Sequence, residues 1–191
     1  GDNEAEIHSI MAEFGLPFEF PEEVEAAANK ISPRITKAEI GKRRDMRDVT
    51  TFTIDPADAK DFDDALSIQK LENGNWEIGV HIADVTHYVQ PKTILEKEAF
   101  HRATSVYLVD RTIPMLPERL SNGLCSLNPG VDRLVLVADM VVDGRGRTKA
   151  YQFYPAVMHS AARLTYDEVW GILSGRNPLA IQQRGALVGH L

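Results

Sequence analysis

The 191-residue sequence holds a single cysteine, Cys125, so it has no intrachain disulfide partner, no disulfide framework and no cysteine-rich zinc site. No apolar run approaches the roughly 20 residues that a membrane-spanning helix needs, and none has the layout of a signal peptide. A reducing, cytoplasmic setting without a membrane partner is the simplest expectation. Low-complexity tracts and internal repeats are also missing. The hydrophobic share of 43% and charged share of 26% fit a globular core, which excludes disorder and collagen-like structure. The sequence opens on Gly1 rather than methionine and stops at Leu191 inside a helix-like stretch with no cap or breaker, so a piece of a longer chain is expected.

Lys and Arg are absent from the first 29 positions, which carry eight acids. Residues 30–50 reverse this, with seven basic side chains against three acids. The overall net charge of −7 argues mildly against a nucleic-acid partner, but this segregation makes it a poor guide to any one face.

Ile7, Ile10, Met11 and Phe14 form a helical stripe that Gly15 and Pro17 end. A second helix starts at Pro21, and Thr36–Met46 reads as a third, basic one. The pattern then changes to strands. Val49–Asp55 and Asp64–Leu71 are strand-like, and Asn73-Gly74-Asn75 is a turn before the alternating Trp76, Ile78, Val80 and Ile82. Ile94–Ser105 reads as a helix, Leu134–Val142 and Thr148–His159 as extended segments. Thr165–Leu173 reads as a helix with a capping box between Thr165 and Glu168. The expected fold is α+β: a mixed, mainly antiparallel sheet flanked by helices. A helical appendage over residues 1–46 precedes a truncated main domain over 47–191.

The chemistry concentrates between the first two strands, where Asp55, Asp58, Asp61, Asp63 and Asp64 place five carboxylates in ten residues. Asp55 lies on the strand face opposite Phe52 and Ile54, so it points away from the core if those two are buried. Carboxylates about 5 Å apart repel by roughly 3 kcal/mol per pair at an effective dielectric near 20. A divalent cation removes that cost, and all-oxygen ligation favours Mg²⁺ or Mn²⁺ over zinc. A solvated acidic turn is the plain alternative. A helix–loop–helix calcium site fits less well, because Ala65 and Ser67 fall where it needs ligands. Two hard cations can activate water and stabilise a leaving oxygen in phosphodiester hydrolysis, although spacing alone leaves the reaction open.

The string from Arg43 through Asp55-Pro-Ala-Asp-Ala-Lys-Asp61-Phe-Asp63-Asp64-Ala strongly resembles the start of the catalytic domain of the ribonuclease R / ribonuclease II family. Gly79-Val-His-Ile-Ala-Asp84 and Ile113-Pro-Met-Leu-Pro through Cys125-Ser-Leu-Asn128-Pro follow at the family's spacing, and the stretch from Ile7 to Pro21 resembles the link after that family's cold-shock barrels. The resemblance implies a Mg²⁺-dependent, processive 3′→5′ exoribonuclease that cuts single-stranded RNA to nucleoside 5′-monophosphates. It implies that Asp55, Asp61, Asp63 and Asp64 hold metal, with Asp63 also catalytic beside the attacking water and Asp58 not a ligand. Tyr107 matches a base-stacking position, and Tyr166 an active-site tyrosine near the 3′-terminal nucleotide. The family's second half supplies a phosphate-contacting arginine, another acid and an aromatic clamp. None of those motifs occurs here, so the chain by itself is expected to be inactive.

Other residues have plainer readings. His81, mid-strand, reads as a hydrogen-bonded structural histidine, Asp84 either as outer support for a metal site or as a turn cap, and Cys125 as packing. The run Lys42–Arg47 reads either as phosphate contacts or as a salt-bridged face against the acidic first helices. A non-catalytic RNA-binding module and a Mg²⁺-dependent small-molecule phosphatase are the competing functions. The aspartate spacing counts against the first, and the lack of a phosphate-cradling glycine loop against the second.

Overall fold

The computed structural model describes residues 2–17, 19–109 and 111–191. They fall into two units that interleave in sequence, residues 1–33 with 86–123 and residues 34–85 with 124–191.

In the first unit, α1 (Asp2–Glu13) ends where Gly15 turns at φ +62°, and α2 (Glu22–Asn29) begins behind Pro21. Arg119 closes the far end of α2 by donating to the carbonyls of Ala28 and Ile31, at 3.2 and 2.7 Å. Ile7, Met11 and Ile113 form a small core with Leu16, Val106 and Leu108 packed against it.

The second unit begins with α3 (Lys37–Ile40), capped by the Thr36 hydroxyl. The helix expected over Thr36–Met46 stops there, because Arg44 already starts a strand. Strands β1 (Arg44–Asp55), β2 (Asp64–Lys70) and β3 (Trp76–Ala83) follow. The short helix α4 (Val85–Tyr88) then leads into the first unit, which contributes α5 (Ile94–Arg102) and the hairpin of β4 (Val106–Tyr107) and β5 (Thr112–Ile113). A π-helical turn (Arg119–Leu124) precedes β6 (Asp132–Val142) and the long β7 (Thr148–Thr165). The chain ends in α6 (Tyr166–Leu173), α7 (Pro178–Arg184) and a 3₁₀ segment (Gly185–His190).

The expected α+β fold with a mainly antiparallel sheet is present, and the sheet closes into a barrel in the order β1-β2-β3-β6-β7. Every pairing is antiparallel except the closing one, where β1 and β7 run parallel from Arg44 against Ala156 to Asp55 against Thr165. Closure leaves the Thr51–Thr53 stretch of β1 buried on both faces. Phe52 packs outward with Ala162 and Leu164, beneath Val169 of α6 and Leu187 and Leu191 near the end of the chain. Thr51 and Thr53 point inward and are fully buried. Asp55 shares their face, opposite Phe52 and Ile54 as the alternation required, and on that side it meets the end of the barrel interior rather than open solvent.

Candidate functional site

One end of the barrel gathers the last residue of β1, the first of β2 and the last of β7. The loop between Asp55 and Asp64 is tied down there by backbone-directed bonds. Ser126 Oγ accepts from the Phe62 amide at 3.0 Å and donates to the Lys60 carbonyl at 2.9 Å. The Leu127 amide reaches the Phe62 carbonyl at 2.8 Å, and the Ala83 amide the Asp63 carbonyl at 2.9 Å. Arg133 Nε in turn donates to the Ser126 carbonyl at 2.7 Å. From β7, Arg163 donates to the carbonyls of Pro56 and Ala57, and its guanidinium lies 5.4 Å from the centre of the buried Phe62 ring. Ser126 and Arg163 carry no local sequence signal, so sequence reasoning missed both. Their contacts bridge 64 and more than 100 residues of chain.

Tethering crowds the carboxylates. Burial raises the Asp55 carboxyl above its ordinary range and the charges of Asp64 and Asp61 add to this, against a partial offset from Arg163. The nearby Thr53 hydroxyl also offsets it, although no sound hydrogen bond joins the two, and both Thr53 Oγ1 and Asp55 Oδ2 are buried without a partner. Asp63 is raised by desolvation, then by Asp61, Asp64 and Asp55. Its side chain keeps exposed surface, so water screens part of that repulsion. Asp58, Asp63 and Asp64 are exposed, and Asp61 is half-buried.

The four carboxylates singled out from the sequence therefore sit in one electrostatic neighbourhood. They are not a closed ligand cage. Among the described residues, no group of three or more His, Cys, Asp or Glu side chains is arranged to hold a metal ion. The donor set nonetheless suits a hard divalent cation, since it is all carboxylate oxygen, mutually repelling, and includes a buried oxygen with nothing to bond.

Tyr166 opens α6 next to Thr165, the register partner of Asp55, and is 61% exposed. The helix start is fixed as the capping box requires, with Thr165 Oγ1 accepting from the Glu168 amide at 3.2 Å. Tyr107 lies in β4 of the other unit and is 64% exposed. Neither a cleft of about 400 Å³ in the first unit nor one of about 350 Å³ in the second includes any of the aspartates.

Asp84 forms an ion pair with Arg43 at 2.7 Å, with both side chains almost fully buried, rather than merely capping a turn. Burial opposes the charge on Arg43, but bonds to Glu39 and Asp84 outweigh it and hold the guanidinium charged. Elsewhere in the basic run, Arg44 stacks on Tyr154 and Arg47 pairs with Asp45 and Asp132, so the run is salt-bridged, but to acids of its own unit and not to the acidic first helices the sequence suggested. His81 is fully buried inside the barrel, with Nε2 2.9 Å from Ser67 Oγ, and desolvation lowers its pKa to about 4 despite Asp139. Cys125 is buried and free, and desolvation, then Asp63, pushes its thiol up to about 12, which fits packing and not nucleophilic chemistry.

The barrel with a carboxylate-rich rim matches a known domain type. Residues 43–184 fit the RNB domain, and the chain belongs to that family. It is 51% identical over 170 residues to Ribonuclease R of Thermotoga maritima, covering 88% of this chain and 24% of the relative. Among solved structures it is similar to Mycoplasma genitalium RNase R in complex with double-stranded RNA, with a TM-score of 0.86 and 38% identity, covering 91% of this chain and 31% of that one. The same enzyme with ribose-methylated single-stranded RNA gives a TM-score of 0.85 at 38% identity, covering 91% and 27%. The chain thus spans about a quarter of the length of the curated relative. No described helix is long and apolar enough to cross a membrane.

Proposed function

We propose that the chain carries the metal-binding half of the catalytic centre of a processive 3′→5′ exoribonuclease that releases nucleoside 5′-monophosphates from single-stranded RNA. The observation that carries this reading is the tethered Asp55–Asp64 loop, whose crowded carboxylates include a buried, unpartnered oxygen in a chain of the RNB family. Asp55, Asp61, Asp63 and Asp64 would hold Mg²⁺, with Mn²⁺ able to substitute. A bound cation of this kind supplies positive charge against the charge that builds on the phosphoryl oxygens.

Within this chain, Asp63 orients the attacking water and accepts its proton. Its exposed side chain and raised carboxyl suit a group that must reach solvent and take up a proton. Tyr166 offers its ring to the 3′-terminal nucleotide beside Asp55, and Tyr107 offers a base platform. Stacking of this kind tolerates any sequence because every base has a π-face. On this reading residues 1–46 are the helical approach and 47–191 the N-terminal half of the catalytic domain, working in the cytoplasm.

On the family resemblance, the cation aimed at the scissile phosphate and the clamp for the 3′ end belong to the family's second half, so the chain by itself is expected to degrade end-labelled RNA slowly or not at all in Mg²⁺. The test uses a protein of full family length that contains this chain. Asp63→Asn abolishes release of mononucleotides while binding of a short oligomer persists, and Tyr107→Ala weakens that binding by about 1–3 kcal/mol at fixed salt. Activity that survives Asp63→Asn refutes the reading.

A further inference from the structure

Four buried side-chain atoms among the described residues lack a hydrogen-bond partner: Thr53 Oγ1, Asp55 Oδ2, His81 Nδ1 and Arg163 Nε. Thr53 and Arg163 are register partners across the parallel closing pair, Asp55 follows Thr53 on the same face, and His81 faces the barrel interior. The end of the barrel interior is therefore where polar groups are left over. Arg163 differs, because it grips the aspartate loop at both ends.

One nitrogen, Nη2, donates to Pro56 O at 2.9 Å and to Ala57 O at 2.6 Å, directly after Asp55. The face of the same guanidinium lies over Phe62, between Asp61 and Asp63. Phe62 is pinned from its backbone side by Ser126 and Leu127. The loop is thus held between a fixed backbone seam and one planar cation.

We infer that Arg163 is the positioning residue of the carboxylate site: it sets the path of residues 56–62 and so the places of Asp61 and Asp63 relative to Asp55, which the strand ladder holds. This rests on the carboxylate reading above. The choice of arginine follows from the contacts. One guanidinium nitrogen serves both carbonyls while the planar face of the group covers the Phe62 ring, and a compact ammonium has no such face to lay there. Simple electrostatics predicts the reverse role, since a cation beside a cation site repels the ligand. Removing Arg163 should then tighten metal binding, whereas loss of positioning should weaken it.

The experiment follows free Mn²⁺ by electron paramagnetic resonance as it is titrated with the 191-residue chain, in wild type, Asp55→Asn, Arg163→Lys and Arg163→Ala. Amide exchange of the metal-free chain is measured in parallel. Both Arg163 variants are expected to weaken Mn²⁺ binding by about tenfold or more, the usual effect of losing a group that orients ligands. They should also speed exchange at the Ala59 and Phe62 amides, while β3 amides keep their protection. If Arg163→Ala loses β3 protection, the Lys variant decides. Wild-type affinity in Arg163→Lys, tighter binding in Arg163→Ala, or unchanged exchange at Ala59 and Phe62 overturns the inference. Absent Mn²⁺ binding, or binding unaltered by Asp55→Asn, instead refutes the carboxylate reading, and the exchange result still settles the clamp.

Discussion

Replacing Gly79 with alanine tests the packing of the barrel interior. Gly79 faces Ser67 across the β2–β3 ladder and lies on the same face as His81. A Cβ there would fall onto Ser67 Oγ and within 2.8 Å of His81 Nε2, the two atoms that bond each other. In an open mid-strand site, alanine would stabilise by about 0.5–1 kcal/mol by restricting the unfolded chain. Here the methyl must displace a fully buried ring or break its hydrogen bond. Overpacking costs about 1–3 kcal/mol, and a buried polar atom left unpaired about 1–3 more. The sum, about 2–6 kcal/mol, would lower the melting temperature by on the order of 10 °C for a domain of this size. Urea denaturation of Gly79→Ala, Ser67→Ala and the double variant closes the cycle. Ser67→Ala removes the atom the methyl would strike first, so the double variant should be less destabilised than the sum of the singles, by about 1 kcal/mol or more. A Gly79→Ala cost below about 0.5 kcal/mol, or strict additivity, refutes this account of the glycine.

Three further outcomes are expected. Ser126→Ala removes the acceptor for the Phe62 amide and the donor to Lys60 O, and should cost about 1–3 kcal/mol in urea denaturation with faster exchange at Phe62, whereas a neutral substitution would mean the seam does not hold the loop. The folded-state pKa of His81, about 4 against an ordinary 6.5, means the unfolded chain binds more protons below pH 6.5, so stability falls by up to about 3 kcal/mol as pH drops from 6.5 to 4. His81→Gln keeps a partner for Ser67 without titrating, and an equal acid loss in that variant would show that His81 is not responsible. The Asp63 carboxyl is raised, so its favourable contribution is complete only below the ordinary carboxylate pKa and is lost as pH rises through the folded-state value. Without divalent cations at pH 7, Asp63→Asn should therefore melt slightly higher than wild type, with the gap closing as NaCl is added, and a lower melting point at low salt would contradict the crowding.

The parts of the structure that local rules govern were readable from the sequence. Alternation from Trp76 to Ile82 after Asn73-Gly74 became β3, and the Thr165–Glu168 pair became the N-terminal cap of α6. The density of aspartates marked the loop without any knowledge of the fold. Residues 44–46 misled, because the charges around them resemble a solvated helix. Only the distant β7 backbone makes them a strand, with Arg44 against Ala156. The same distance hid Ser126, Arg163 and the buried partner of Asp84. Each owes its role to a neighbour reached through closure, and no local periodicity reports closure.

Closure also explains why the carboxylates and Tyr166 belong to one place. In an open antiparallel sheet, β1 and β7 would be separate edges, and the end of β7 would have no fixed relation to Asp55. The parallel pairing instead runs both strands in the same direction, so both finish at the same rim, with Asp55 level with Thr165. A parallel pair cannot be joined by a tight turn, and here the connection takes in β2, β3, β6 and the 86–123 segment of the first unit. That long connection brings the Asp55–Asp64 loop and the start of α6 to one rim from opposite ends of the unit's sequence. Arg163, two residues before the rim and level with Thr53, then reaches back across the pair to the loop. A strand register thus does for this site what a sequence motif does in a helix, which is to fix which side chains meet. A slip of one residue in the β1–β7 pairing would shift Asp55 off Thr165 and carry Arg163 away from Pro56 and Ala57 together.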